Sequence, residues 1–370
     1  MPYCASRCGY CDFNTYVPGE AGRGAQSEWR RAATQEVRDA RARLSDDPRP
    51  VSSIFFGGGT PTVLPVADLA AVIATISSEF GLAPNAEVTV EANPENVTPG
   101  LLDDLLAAGV TRLSIGMQSA DPAVLAVLDR RHRPGGAIQA ARMADLAGFR
   151  RVSLDLIYGT PGESLTSWRE TLAAAVGTGI THVSAYALKI ESGTALARRV
   201  AAGELPATDD DFAAACYEAA DEVLSAAGLP WYEISNWAVP GHECQHNVGY
   251  WVGDDWWGVG PGAHSHLAGE RFWNVRHPAR WSQAIAAGSS VVAGSETLSE
   301  QEARLERIML GVRLSEGFDP IDLVGSSGPP VAVALAERGL LERCPVGWRL
   351  TRRGRLLADA VTLELSDVAS

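Results

Sequence analysis

Three of the six cysteines fall close together near the start of the chain, as Cys4, Cys8 and Cys11 in a C-x3-C-x2-C run. Thiolates at such spacing gather around one metal centre when the loop between them folds back on itself. A four-iron cubane held by only three of them keeps one iron open for chemistry, whereas a structural site closes with a fourth ligand. Spacing alone leaves a zinc site open, with His242, Cys244 or His246 as fourth ligand, and leaves open three ordinary loop cysteines. A second motif is needed to choose.

That motif follows the apolar run 51–56, which reads as a buried strand and ends in Gly57-Gly58-Gly59-Thr60-Pro61. Glycines there let the backbone approach a ligand closely. The cysteine run, with Tyr10 inside it, and the glycine turn in this order resemble the radical SAM superfamily. The resemblance implies a [4Fe-4S] cluster on Cys4, Cys8 and Cys11, with S-adenosylmethionine (SAM) on its open iron. It further implies that Tyr10 packs near the adenine and that Gly58, Gly59 and Thr60 meet the methionine end.

Past this point strand-like and helix-like segments alternate. A helix is expected over 27–44, then strand 51–56, helix 66–80, strand 87–91 and a short helix to Ala108. Strands 112–117, 151–157, 181–188 and 231–234 follow, with a helix over 209–227. About six such repeats predict an α/β fold, a partial (β/α)6 barrel with its site at the C-terminal ends of the strands. Glu91, Gln118 and Asp155 stand at or near those ends, with Arg130 on the helix after Gln118. A lone carboxylate at a strand end can simply cap the next helix. The order Glu91, Gln118, Arg130, Asp155 resembles the SAM-binding set of the HemN group, which implies that all four line the SAM pocket.

Within that group, the segments at 112–119, 155–162 and 232–237, together with His246-Asn247-Val248-Gly249-Tyr250-Trp251, resemble the HemW branch. Phe13 stands where the group's oxidases carry a further cysteine. The resemblance implies a haem chaperone that delivers haem to acceptor proteins. The alternative it leaves is an oxygen-independent coproporphyrinogen III oxidase, carrying out radical oxidative decarboxylation of propionate side chains. A bound haem needs an axial ligand, and histidine, cysteine and tyrosine all serve. His246 is the first candidate, with Tyr250 one helical turn on; His242, Cys244, His264 and Cys344 are the others.

Three regions are expected: the cluster- and SAM-binding barrel over 1–235, a Trp/Gly-rich lid over 236–296 for haem or porphyrin contact, and a small winged-helix-like α+β domain over 297–370. Formal net charge is −14 with no basic tract, which argues against nucleic acid as a partner. No apolar run reaches the roughly 20 residues of a membrane span. Reactive thiols point to a reducing compartment, by default the cytoplasm. The family also carries a short strand before its first cysteine. Met1 stands only three residues ahead of Cys4, so the native start is expected upstream.

Overall fold

The computed structural model describes residues 1–22 and 24–369. Helix α1 (Ala25–Arg43) leads into β1 (Val51–Phe56), which stops at the glycine turn. The chain then continues through α2 (Val66–Phe80), β2 (Leu82–Ala92), α3 (Pro99–Ala107), β3 (Arg112–Gln118), α4 (Pro122–Val127), α5 (Gly136–Ala147), β4 (Val152–Tyr158), α6 (Leu165–Val176), β5 (His182–Ala187), α7 (Ala195–Ala201) and α8 (Asp210–Ala226). Polar side chains start many of these helices: Thr98, Asp121, Ser164 and Asp209 each accept a first-turn backbone N–H.

Strands β1 to β5 pair in parallel and in chain order. The sheet ends in a hairpin, β6 (Trp231–Glu233) and β7 (Asn236–Ala238), with β7 antiparallel to β5 and β6 outermost. The expected six repeats are thus five parallel strands and a hairpin in the sixth place. The result is a curled half-barrel. One face of its strands (Leu113, Ile115, Leu154, Leu156, Val183, Ala185) is fully buried in the main core. The other face carries Glu87, Thr89, Arg112, Ser114, Ser153, Asp155, His182 and Ser184. Period-two alternation in the sequence therefore separates an apolar outer face from a polar lumen.

Residues after the hairpin close the lumen and brace α1. Helix α9 (Gln245–Val252) is followed by β8 (His264–Leu267), β9 (Glu270–Asn274), α10 (Pro278–Ala286) and β10 (Val292–Thr297), the strands forming an antiparallel sheet in the order β10-β9-β8. Glu36 of α1 anchors this region from within. Its carboxylate accepts Gly260 N at 2.8 Å, Asn274 Nδ2 at 2.6 Å and Trp281 Nε1 at 2.9 Å. Burial outweighs these bonds and pushes Glu36 up to about 7.

The C-terminal unit has its own core, including Ile308, Val312, Phe318, Leu335, Trp348 and Val361. It comprises α11 (Glu300–Gly311), α12 (Pro320–Val324), α13 (Gly328–Glu337), the hairpin β11 (Leu341–Cys344) and β12 (Gly347–Leu350), then α14 (Arg352–Leu356) and α15 (Ala358–Ser366). An antiparallel bridge from Phe318 to Trp348 adds a third strand position, as the winged-helix reading requires. Asp221 of α8 docks this unit: it meets Arg355 at 2.7 Å and Arg352 at 2.8 Å. Among the described residues no helix is long and apolar enough to cross a membrane.

Candidate cluster and ligand site

The cysteine loop sits over the C-terminal ends of β1 to β4, held by backbone bonds on three sides. Cys4 N donates to Tyr16 O, Gly9 N to Leu128 O, and Leu196 N to Gly9 O. Residues 1–3 run beside the glycine turn, where Gly59 N donates to Met1 O at 2.6 Å and Thr60 N to Tyr3 O at 2.7 Å. A Cβ on Gly59 would lie 2.6 Å from Tyr3 O and 2.9 Å from Met1 O, both backbone atoms that cannot swing aside. Glycine is required there by close approach.

Cys4, Cys8 and Cys11 are all unpaired and half-buried. Two donors reach their sulfurs. Thr60 Oγ1 lies 3.7 Å from Cys4 Sγ, and Arg130 NH1 lies 3.4 Å from Cys8 Sγ. Burial pushes the Cys4 and Cys11 thiols up, so an electropositive centre is needed to hold them as thiolates. Three thiols on one loop with a buried guanidinium beside them fit an iron–sulfur cluster. Among the described residues, no three His, Cys, Asp or Glu side chains gather as a single metal ion demands. Of the three suggested fourth zinc ligands, Cys244 and His246 engage Glu87 of β2 and Ser53 of β1 instead, and His242 lies in the loop between β7 and α9.

Arg130 links the loop to the strands. Its NH2 donates to Gly116 O at 2.7 Å and to Asn93 Oδ1 at 3.0 Å, while Asn93 Nδ2 donates to Thr60 Oγ1 at 3.0 Å. Asn93 was not singled out from the sequence, although an asparagine before proline just past a strand was the available signal. Gln118 ends β3 at a register shift with φ of 63°, a left-handed backbone that costs a non-glycine residue about 1–3 kcal/mol. Its amide folds back over Gly116, where a Cβ would lie 2.9 Å from Gln118 Nε2 and 2.8 Å from Arg130 NH2. Tyr10 packs on Val124, Leu128, Ile157, Leu188 and Leu196, and burial pushes its hydroxyl upward.

Two carboxylates complete the rim. Glu91 accepts Gly58 N at 3.1 Å; burial first, and then the like charge of Asp155, push it up to about 7. Asp155 accepts Ser114 Oγ at 2.9 Å and Ser153 Oγ at 3.4 Å, with Ser184 a third donor. Burial still raises its pKa. The structure thus brings Tyr10, Gly58, Gly59, Thr60, Glu91, Gln118, Arg130 and Asp155 to one end of the half-barrel, beside the three cysteines. Tyr186, on the lumen face of β5, is 47% exposed, so the space below this rim is open.

His246 lies apart from this rim, at the N-terminal ends of the strands. Its Nδ1 is 2.8 Å from Ser53 Oγ, its Nε2 is 3.0 Å from Tyr250 OH, and its ring stacks on Phe55. Burial lowers its pKa to about 4, so the ring is neutral near pH 7. Asn247 on the same helix donates to Tyr232 OH and Glu233 Oε1, both at 3.1 Å. Helix α9 is therefore a plug on the lumen floor. Other candidates lie elsewhere: His264 stacks on Trp273 in the β8–β10 sheet, and Cys344 bonds Glu316 O in the C-terminal unit. The tryptophans of 231–273 do not share one face. Trp237 is fully buried against Asp221, Trp231 stacks under Arg355, and Trp256 joins Tyr250 and His266.

Comparison with known proteins accords with this geometry. The family model described as "Radical SAM superfamily" matches residues 1–175, and that described as "HemN C-terminal domain" matches 298–357. "Heme chaperone HemW" of Mycobacterium tuberculosis is 49% identical over 365 residues, covering 99% of this chain and 93% of the relative. "Heme chaperone HemW" of Escherichia coli is 32% identical, covering 99% and 96%. The solved structure "Coproporphyrinogen III oxidase (HemN) from Escherichia coli is a Radical SAM enzyme" superposes with a TM-score of 0.82 at 21% identity, covering 99% of this chain and 88% of that one. That likeness establishes the fold. The chain belongs to the radical SAM superfamily, in the family of the HemW proteins.

Proposed function

We propose that this chain is a haem chaperone, which binds haem and passes it to acceptor proteins in the cytoplasm. The observation that carries the reading is the 49% identity, over nearly the whole of both chains, to a protein named as a heme chaperone. In this reading residues 1–235 hold the cofactors, 236–296 cover the lumen and contact haem, and 297–370 dock or cover. Cys4, Cys8 and Cys11 would hold a [4Fe-4S] cluster, whose open iron supplies the binding point and electron source for SAM. Arg130 would hold the Cys8 thiolate and fix the β3 end at once. Glu91 would face the ammonium of SAM, Tyr10 its adenine, and Gly58, Gly59 and Thr60 its methionine end, with Gln118 and Asp155 completing the pocket.

His246 is the proposed haem ligand, with Tyr250 beside it. A neutral imidazole is the form that ligates iron, and burial supplies that form. Coordination through Nε2 requires Tyr250 OH to leave that nitrogen. Tyr250 is 39% exposed and has room to move. Neither nucleic acid nor stable membrane insertion has a part in the reading.

The test is an anaerobic comparison of two activities on cluster-loaded protein. Handover of bound haem to an apo-haem protein, with no consumption of coproporphyrinogen in the presence of SAM and reductant, is the expected result. Decarboxylation of coproporphyrinogen without haem binding would make the chain an oxidase instead.

A further inference from the structure

The lumen floor holds a cation that the cluster and SAM assignments leave unused. Arg112 opens β3 and shares the lumen face with Ser114 and Gly116, two and four residues along the same strand. It is 2% exposed, and its Nε is buried with no hydrogen-bond partner among the described residues. Burial opposes its charge, but the nearby Cys244, Glu87, Tyr232 and Asp155 stabilise that charge enough to outweigh burial and raise its pKa. None of them forms a salt bridge with it among the described residues. Glu87 pairs with Arg151 at 3.2 Å and accepts the Cys244 thiol and the His246 N–H. Asp155 is taken up by the hydroxyls of Ser114, Ser153 and Ser184. Arg355, also buried, pairs with Asp221 at 2.7 Å through both NH1 and NH2. Its Nε, like those of Arg112 and Arg130, has no hydrogen-bond partner among the described residues. What sets Arg112 apart is that no carboxylate forms a salt bridge with it among the described residues.

A guanidinium withdrawn from water is costly unless a counter-charge meets it, and its planar fork matches a carboxylate. Around Arg112 the floor is otherwise neutral or spoken for. His182, whose pKa burial lowers well below the ordinary value, bonds Ser153 through Nδ1 and Tyr232 through Nε2. Tyr232 in turn accepts Asn247 of α9. The lumen is open farther up, at the level of Tyr186, with the buried Ser114, Ser153 and Ser184 in between.

The geometry points to Arg112 as an anion-recognition residue that receives a carboxylate of a ligand entering the lumen. On the haem reading, on which this inference rests, that carboxylate is a propionate. His246 stands on the same floor, held against Ser53 of β1 and Glu87 of β2, so iron ligand and propionate partner belong to one end of the barrel.

The experiment uses the full chain, loaded anaerobically with its cluster. Haem and haem dimethyl ester, in which both propionates are blocked, are titrated by Soret absorbance into wild type, Arg112→Lys and Arg112→Met. Thermal unfolding of each apoprotein is followed in parallel. Wild type should prefer haem over the diester by about tenfold or more, as a charge-assisted hydrogen bond gives. Arg112→Met should bind both at the diester's affinity, and Arg112→Lys should fall between. The Met variant should unfold below the wild-type temperature, since the buried Glu87 and Asp155 lose a charge that offsets their burial, so the haem-to-diester comparison decides the assignment. Equal haem-to-diester preference in wild type and Arg112→Met would overturn the assignment and leave Arg112 a structural counter-charge to Glu87 and Asp155. Loss of SAM affinity with haem selectivity intact would overturn it as well, by giving Arg112 to the SAM carboxylate. Binding of neither haem nor diester to wild type would remove the haem reading itself.

Discussion

Arg130 shows how much depends on single atoms at the rim, since one side chain touches the Cys8 thiol, the Gly116 carbonyl and the Asn93 amide. Gly59 depends on contact in the same way. Gly59→Ala should cost about 1–3 kcal/mol, the range of overpacking, and lower iron content on reconstitution because residues 1–3 must shift. Iron and sulfide analysis alongside thermal unfolding checks this. Glu91 gives a pH dependence of known sign. Its folded-state pKa near 7 lies above the ordinary 4.5, so its contribution to apoprotein stability is present below about 4.5 and is lost as pH rises through about 7. An ammonium ligand prefers the carboxylate, so SAM affinity should rise over that same upper range. Calorimetric titration at pH 6 and pH 8 should show the rise in wild type and not in Glu91→Gln. The cysteines and the glycine turn were legible as motifs, and Glu91, Gln118, Arg130 and Asp155 through the resemblance to the HemN group. Asp155 lies mid-strand in β4, and Arg130 lies beyond α4 and not on a helix as expected. Arg112, Ser114, Ser153 and His182 were not legible, although R-L-S-I-G and V-S-L-D-L already alternate polar with apolar. The alternation reveals a two-faced strand, but only the curl of the sheet turns the polar face into a lumen.

Among the elements, β1 and α2 have the bounds that the residue pattern gives, since glycine or proline marks their ends. Helix α5 was passed over: it is rich in alanine and carries no side-chain cap. Helix α6 is not among the expected elements although Ser164 caps it, since the glycine turn after β4 hides its start. The strand β7 was missed because three residues cannot show a period, and the turn into it contains no glycine. Docking of the C-terminal unit was equally hidden, because Asp221 and Arg355 lie more than a hundred residues apart. Burial pushes Asp221 upward, but the bonds from Arg355, Trp237 and Arg352 prevail and hold it below its ordinary value. Its contribution is therefore present above the ordinary carboxylate range near 3.8 and is lost as pH falls through the lowered value. Asp221→Ala strands a buried guanidinium and should cost about 3–5 kcal/mol, measured by denaturant unfolding. Replacing Asp221 and Arg355 together by apolar residues should recover much of that loss.

Taken whole, the molecule sets two centres at opposite ends of one lumen. The cysteine loop, the glycine turn and the rim carboxylates stand at the C-terminal ends of the strands. Helix α9, with His246 and Tyr250, closes the other end, and the space between is polar and open at Tyr186. On the proposed function, the first end would hold the cluster and SAM, and the second would meet the haem. Titration of haem into anaerobically reconstituted wild type and His246→Ala, followed by Soret absorbance, is the measurement to make. One haem per chain in wild type, with affinity about tenfold or more weaker in the variant, is expected if His246 ligates the iron. Haem binding that His246→Ala leaves unchanged would place the ligand elsewhere, and no binding to either protein would contradict the chaperone reading outright.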